Sequence, residues 1–597
     1  MALVRYDWIL ALITIAFCGS SFGNGANDVA NSYATSVAAR TLKLWEVGIL
    51  ACITEFVGAV ALGKRVTGTI KNDVIDISRF EGSPGVLMLA MGCAEFGSAF
   101  WLLTATRLGF PVSTTQTVVG ALVGVGIASQ ADVMWKWADG SVSQVAASWA
   151  VAPCLAAAFS AILFGTLKFA ILERKNSFQA AMKAIPIYLA FTGSVLALFI
   201  TIEAPGAPDL DDLGPGKIVG IVLGAFAGCL LIAYVFFVPY FKRRLVMKDT
   251  RVRAWHIPLG PLLLRENPPL YFPGKRDGVV IDYYASTHSA SESSIAREKE
   301  KEKEKEGHEA TAKNGADKNP EGTLTDEATP RVLEEGTATT TGADHVTNSG
   351  TKMASVEDLS GTVMGIPAHR GPRERFLKPV SHLPLFHHRR LFGYLKFFFL
   401  HGVSKDCVSH SDAMLEAVHL AAKKYDNRVE HLWTYAQVAS AIMMSIAHGS
   451  NDVANAVGPW SAAYSTYVNS EVSTKSDTPV WILVVAGIML GAGFWFFGYH
   501  IIRSLGNKIT QMSPTRGYAA ELGAAITVLL ASRLGLPVST TQCLTGAVLG
   551  VALMNLDFKA INWKQLLFIF CGWVLTLPSA GLISGLLMVM ALNAPHF

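Results

Sequence analysis

A seven-residue string set in apolar sequence, Gly25-Ala26-Asn27-Asp28-Val29-Ala30-Asn31, returns almost unchanged at Gly449-Ser450-Asn451-Asp452-Val453-Ala454-Asn455. In each copy a carboxylate and two amides interrupt a hydrophobic run. An acid at the centre of a membrane helix costs about 2.5–3.5 kcal/mol on insertion scales, so it must face a cavity, an ion or another polar group. Two copies imply a site with two halves, and any fold the chain adopts has to bring them together.

The rest of the chain fits a membrane setting. Of its 597 residues, 51% are hydrophobic and only 16% charged, which identifies a polytopic membrane protein. Apolar runs fall near 7–24, 44–63, 84–106, 112–129, 142–167, 185–203 and 217–241, and again near 432–447, 480–502, 517–532, 538–555 and 566–593; a short run at 393–403 reads as interfacial. About twelve membrane segments of about 20 residues follow, counting broken and re-entrant ones. The division is an N-terminal membrane repeat at 1–241, a hydrophilic, largely disordered loop at 242–392 and a C-terminal membrane repeat at 393–597. The loop's Arg297–Glu306 Lys/Glu run and Thr/Gly-rich tract cannot bury enough apolar surface to fold alone. Lys242, Arg243 and Arg244 on one side and His387 to Arg390 on the other flank it with basic charge, whereas 203–214 carries four acids and no base. By the positive-inside rule the long loop is cytoplasmic. The eight cysteines are scattered, without a CxxC pair, and read as small buried hydrophobes.

A second pair of strings confirms the duplication. Arg107-Leu108-Gly109-Phe110-Pro111-Val112-Ser113-Thr114-Thr115-Gln116 recurs as Arg533-Leu534-Gly535-Leu536-Pro537-Val538-Ser539-Thr540-Thr541-Gln542, and 13 of 20 positions match between 106–125 and 532–551. Gly and Pro break a helix, and Ser-Thr-Thr suits the first turn of a new one. The result is a half-helix N-terminus, where free N–H groups, the positive end of the helix dipole and three hydroxyls make an anion site without a fixed positive charge. Two such ends, one from each half, would hold a tetrahedral oxyanion from opposite sides. No GxxxxGK[ST] run is present, so this is not a nucleotide-phosphate loop.

An anion beside Asp28 and Asp452 is repelled by roughly 4 kcal/mol per like-charged pair at about 4 Å and an effective dielectric of about 20. A cation must intervene, and all-oxygen ligands suit a hard one such as Na⁺. Cation binding then makes anion binding favourable, which is coupling by electrostatics. Glu95 and Glu521, themselves twins, and the untwinned Glu55 are possible coupling acids; the twins are also placed to pair with Arg107 and Arg533. His448, standing where the first copy has Asn24, is either a satisfied core histidine or a proton relay. Small Ser/Thr motifs often only pack helices, but two matched copies beside Gly-Pro breaks favour a ligand. No His or Lys base is twinned beside the hydroxyls, so an enzyme is not expected. Nor is a resident cofactor or a nucleic-acid partner.

With these residues in view, the sequence resembles the inorganic phosphate transporter family, most closely its fungal sodium-coupled, high-affinity permeases. The resemblance covers both membrane halves. It implies an all-α polytopic fold of two inverted-topology repeats with re-entrant helices, in a plasma membrane, assembled as a homodimer, carrying Na⁺ and inorganic phosphate. Position by position, Ser113, Thr114, Thr115, Ser539, Thr540 and Thr541 would hold phosphate. Asn27, Asp28, Gln116, Asn451, Asp452 and Gln542 would hold Na⁺. Proton coupling, another oxyanion, and a phosphate-sensing receptor of the same fold are the alternatives.

Overall fold

In the computed structural model, the described residues are 3–63, 74–138, 141–203, 210–274, 278–285, 363–364, 370–409, 412–472, 478–533 and 538–594. They belong to one compact unit made of 1–287 and 362–597; a second unit, 288–361, lies outside them, as does most of the Lys/Glu and Thr-rich tract.

Among the described residues fourteen α-helices have ten residues or more. The first half contributes α1 (Asp7–Asn27), α2 (Val29–Ala38), α3 (Leu44–Val57), α4 (Pro84–Leu108), α5 (Thr114–Ala128), α6 (Val142–Leu167), α7 (Ser177–Glu203) and α8 (Leu210–Ile232). After the central region come α9 (His388–Leu400), α10 (Asn427–Asn469), α11 (Val480–Phe497), α12 (Pro514–Arg533), α13 (Thr540–Leu553) and α14 (Trp563–Leu592). The all-helical membrane architecture is the expected one. Eight helical stretches are long and apolar enough to cross a membrane, against about twelve segments expected, and α5 and α13 are the shorter apolar helices of the two breaks. The four expected runs not among the eight are 112–129 and 538–555, which are α5 and α13, and 432–447 and 517–532, which lie in α10 and α12. α10 runs for 43 residues through the second copy of the polar string, and α1 with α2 makes one 35-residue span from Val4 to Ala38.

The sequence breaks appear where Gly and Pro require them. Gly109 ends α4 in the left-handed conformation (φ 78°), and Ser113 then starts α5 as its N-cap, its hydroxyl accepting the Gln116 N–H. Ser539 caps α13 the same way through Gln542. Gly535 and Pro537 themselves lie outside the described residues.

The short helices of the two halves exchange partners. α5 of the first half lies on α14 of the second, so close that a Cβ on Gly124 would stand 2.1 Å from the Gly581 carbonyl oxygen. α13 of the second half lies on α6 of the first, and a Cβ on Gly550 would stand 2.2 Å from the Ala157 carbonyl oxygen. Gly124 and Gly550 are equivalent positions of the repeat. Each half therefore holds the other's broken helix by backbone-to-backbone contact of the small-residue kind.

The basic residues that flank the loop are partly built into the fold. Arg243 pairs with Asp249 at 2.9 Å and donates to the Arg265 carbonyl, and Arg244 donates to the Val252 and Val279 carbonyls. Residues 278–285 are thereby docked against the inner helices: Arg40 donates to the Asp282 carbonyl at 2.9 Å, and the Tyr283 N–H to Asn427 at 3.0 Å. The Tyr284 hydroxyl donates to Glu430 (2.5 Å), which also accepts the Thr515 N–H (2.9 Å) at the start of α12.

Candidate functional site

The duplicated strings lie in helix, not in loops. Asp28 forms the joint between α1 and α2, and Asp452 sits inside the unbroken α10. Helical spacing puts Asn24, Asp28 and Asn31 on one face, as it does His448, Asp452 and Asn455. All six side chains are buried.

These two faces meet the two half-helix N-termini. One Asp28 oxygen accepts the Thr114 hydroxyl at 2.7 Å and the Thr114 N–H at 3.1 Å; the other accepts the Thr541 hydroxyl of the opposite repeat at 2.8 Å. Asp452 accepts the Thr540 hydroxyl at 2.9 Å. The amides cross between repeats as well. Asn31 donates to Thr541 at 2.6 Å, and its twin Asn455 donates to Thr115 at 3.2 Å and to Thr114 at 2.9 Å. Ligand atoms of Asp28, His448 and Asp452 all fall within 4.8 Å of one another.

Several acceptors in this cluster are left over. The side-chain carbonyl oxygens of Asn24, Asn31, Asn455, Gln116 and Gln542 are buried without a hydrogen-bond donor. An unsatisfied buried acceptor costs about 1–3 kcal/mol, and amide oxygens together with carboxylates are the ligand type that suits a hard cation. Of the six residues expected to hold a cation, Asp28 and Asp452 are in the cluster, and Gln116 and Gln542 are buried in the first turns of α5 and α13. Asn27 has a different set of partners. Its amide N–H groups go to Thr106 (2.9 Å) and the Phe110 carbonyl (3.0 Å), and its oxygen accepts the Val112 N–H (3.0 Å), so it fastens α1 to the break. Asn451 is buried at the matching place on α10.

Of the six hydroxyls expected to meet an anion, Thr114, Thr540 and Thr541 converge on the acids, Thr115 sits 3.4 Å from the Val538 carbonyl oxygen, and Ser113 and Ser539 serve as caps. The sequence reading singled out neither Asn31 nor Asn455, although their three-residue spacing from each aspartate places them on the acid's face. Asn24 was noted only as the counterpart of His448.

The remaining acids spread along the helices. Glu55 accepts the Ser445 hydroxyl at 2.6 Å and lies 2.8 Å from His448 Nδ1, while His448 Nε2 lies 2.9 Å from Asp452, so the imidazole stands between two carboxylates. Glu521 accepts from Thr35 (2.5 Å), Ser36 (2.6 Å) and Ser440 (2.8 Å), with Gln437 Nε2 at 3.4 Å. Three hydroxyls and one amide thus donate to it, and the Arg533 side chain lies outside the described residues. Glu95 is buried beside Ser20 and the Trp460 backbone. Ser20 and Ser36 each stand eight residues from Asp28, or about 12 Å of helix at 1.5 Å per residue. The twin glutamates therefore flank the central acids, one toward each end of the helices.

Comparison with known proteins places the chain in a family. The sequence profile described as "Phosphate transporter family" matches residues 24–584. The chain is 37% identical to the phosphate-repressible phosphate permease of Neurospora crassa over 100% of this chain and 99% of that one. It is 29% identical to sodium-dependent phosphate transporter 1 of Mus musculus, covering 98% and 96% of the two chains. A solved structure of a sodium-dependent phosphate transporter, 22% identical, shares the fold with a TM-score of 0.58 over 98% of this chain and 100% of that one.

Proposed function

The chain belongs to the phosphate transporter family, and from that premise we propose that it carries inorganic phosphate into the cell together with Na⁺ by alternating access. Transport rather than catalysis is the activity of its relatives. The observation that carries the coupling is the crossed bonding of the acids: Thr114, Thr540 and Thr541 spend their hydroxyl protons on Asp28 and Asp452. When Na⁺ takes up the carboxylate oxygens and the spare carbonyls of Gln116 and Gln542, those hydroxyls are released. The N–H groups of both half-helices, with Ser113, Thr115 and Ser539, then face phosphate. Neither ion binds well without the other, because bare carboxylates repel phosphate and phosphate supplies the countercharge that helps hold Na⁺. Glu55, Glu95 and Glu521 act as coupling acids along the route. Na⁺ and phosphate are the cargo, the setting is the plasma membrane with 242–392 in the cytosol between the two membrane repeats, and the assembly is a homodimer.

One observation favours H⁺ as the driving ion: His448, which stands where the first repeat has Asn24, lies 2.8 Å from Glu55 and 2.9 Å from Asp452. Uptake of radiolabelled phosphate into proteoliposomes under a Na⁺, K⁺ or pH gradient separates the readings. Uptake that requires Na⁺ and is lost in Asp28→Asn and Asp452→Asn supports Na⁺ symport. Uptake driven by pH alone replaces the ion, and binding without uptake in any gradient overturns the transporter reading.

A further inference from the structure

Helix α9 (His388–Leu400) carries two faces that the transport site does not use. With 3.6 residues per turn, Gly393, Phe397 and Leu400 share the side turned to the protein: Gly393 is buried, with room for only a hydrogen beside Val380, and the other two are half-buried. Opposite them, Leu391, Phe392, Leu395, Phe398 and Phe399 form one arc of about 120°, each at least 50% exposed. Arg389 and Lys396, two turns apart, line one edge of the arc, and Arg390 with Tyr394 lines the other. Lys396 lies 4.5 Å from the Phe392 ring and Arg390 5.7 Å from the Tyr394 ring, so the bases lie along the apolar surface. Just upstream, Arg373, Arg375 and Lys378 add positive charge against one acid, Glu374.

We propose that α9 is a docking surface for an anionic lipid leaflet, lying in the interface with its aromatic arc among the acyl chains and Arg389 and Lys396 on acidic headgroups. Its position supports this occupant. The Trp495 indole of the membrane span α11 donates to the Phe399 carbonyl at 2.6 Å, and Phe398 packs on Phe496 at 5.8 Å, which fixes the end of α9 to a helix that crosses the bilayer. A large apolar arc edged by bases is the form of an interfacial helix. A second copy of the chain laid on the same arc would set base against base.

The test uses the full-length protein in phosphatidylcholine vesicles doped with a photoactivatable analogue of either phosphatidylserine or phosphatidylcholine, with the labelled peptides mapped by mass spectrometry. The 388–400 peptide is expected to take the serine analogue in preference, and Arg389→Gln with Lys396→Gln to bring the two to near parity. The loss is roughly thirty-fold for two charges, on the order of 1 kcal/mol each. Peptides from α14 serve as the internal control and should label alike in both proteins. Equal labelling by the two analogues in the unaltered chain overturns the proposal, as does an unchanged preference in the variant. Absence of lipid label on the arc together with cross-links between copies overturns it in favour of a self-interface.

Discussion

The carboxylate of Asp28, in the first repeat, accepts the hydroxyl of Thr541, in the second, at 2.8 Å. Because the same Asp28 also holds Thr114 of its own repeat, one side chain ties together both broken helices. Removing the distant hydroxyl should therefore injure function as much as removing the near one. Thr541→Val is expected to lower phosphate uptake at least about tenfold, the size of one lost charge-assisted hydrogen bond, while Thr541→Ser keeps most of it. A double-mutant cycle with Asp28→Asn should show strong non-additivity; additive losses would mean the two residues act separately.

The spare carbonyls of Asn31 and Asn455 make a second prediction. Asn31→Leu or Asn455→Leu removes an oxygen from the cation cluster and an amide donor from the facing threonine. The Na⁺ concentration for half-maximal uptake should rise by about tenfold or more, in keeping with one lost ligand. An unaltered Na⁺ dependence beside a lowered maximal rate would assign these amides to helix packing instead.

Close packing between the exchanged helices predicts a stability effect remote from the ions. Gly124→Val and Gly550→Val each force a side chain against backbone of the opposite half, and overpacking of this kind costs about 1–3 kcal/mol or more. Thermal unfolding in detergent should begin several degrees lower for both. Gly82→Ala, at a place with no neighbour within 4 Å, should leave it unchanged.

Docking of 278–285 can be tested by protease. Tyr284→Phe deletes a hydroxyl donor to buried Glu430, which keeps only its Thr515 bonds. Faster cleavage within 278–285 is expected. Cleavage at the parental rate would show that Arg40, Arg244 and Asn427 hold the segment without it.

Acid should loosen the start of the central region. Burial raises the Asp249 carboxyl, but hydrogen bonds from Arg251 and Arg243 outweigh it and bring the group down to about 2. The folded value lies below the unfolded one, near 3.9, so the stabilisation is complete above about pH 5 and is lost as pH falls from there through 2. Asp249→Asn should remove this acid dependence when amide exchange of residues 243–253 is followed from pH 5 to pH 2; the same profile in the variant would exclude the clamp.

Much of this was legible before any coordinates. Gly109 and Pro111 announce the break, Ser113 the cap, and the paired strings the meeting of two halves, because each depends on local stereochemistry or on charge in an apolar setting. What escaped depends on distance in space. Nothing in the local sequence says that Thr541 reaches Asp28, or that hydroxyls of α2 and α10 reach Glu521. The length of α10 escaped for another reason: Asn451, Asp452 and Asn455 look like a break in an apolar run, yet amides and acids facing a polar cluster leave helical geometry intact. Arg243 and Arg244 read as loop-edge charge because their carbonyl partners lie in segments of no regular periodicity.

The exchange of short helices between repeats also has a consequence in time. During synthesis α5 enters the bilayer hundreds of residues before α14, the helix it rests on, has been made. Until then its glycine face and the Ser-Thr-Thr turn have no mate, and Asp28 lacks Thr541. The first repeat is therefore a guest without its host, dependent on lipid, water or the insertion machinery to shelter an acid that the finished protein shelters itself. Faults in the last membrane helix should accordingly be read by the cell as faults in the first half.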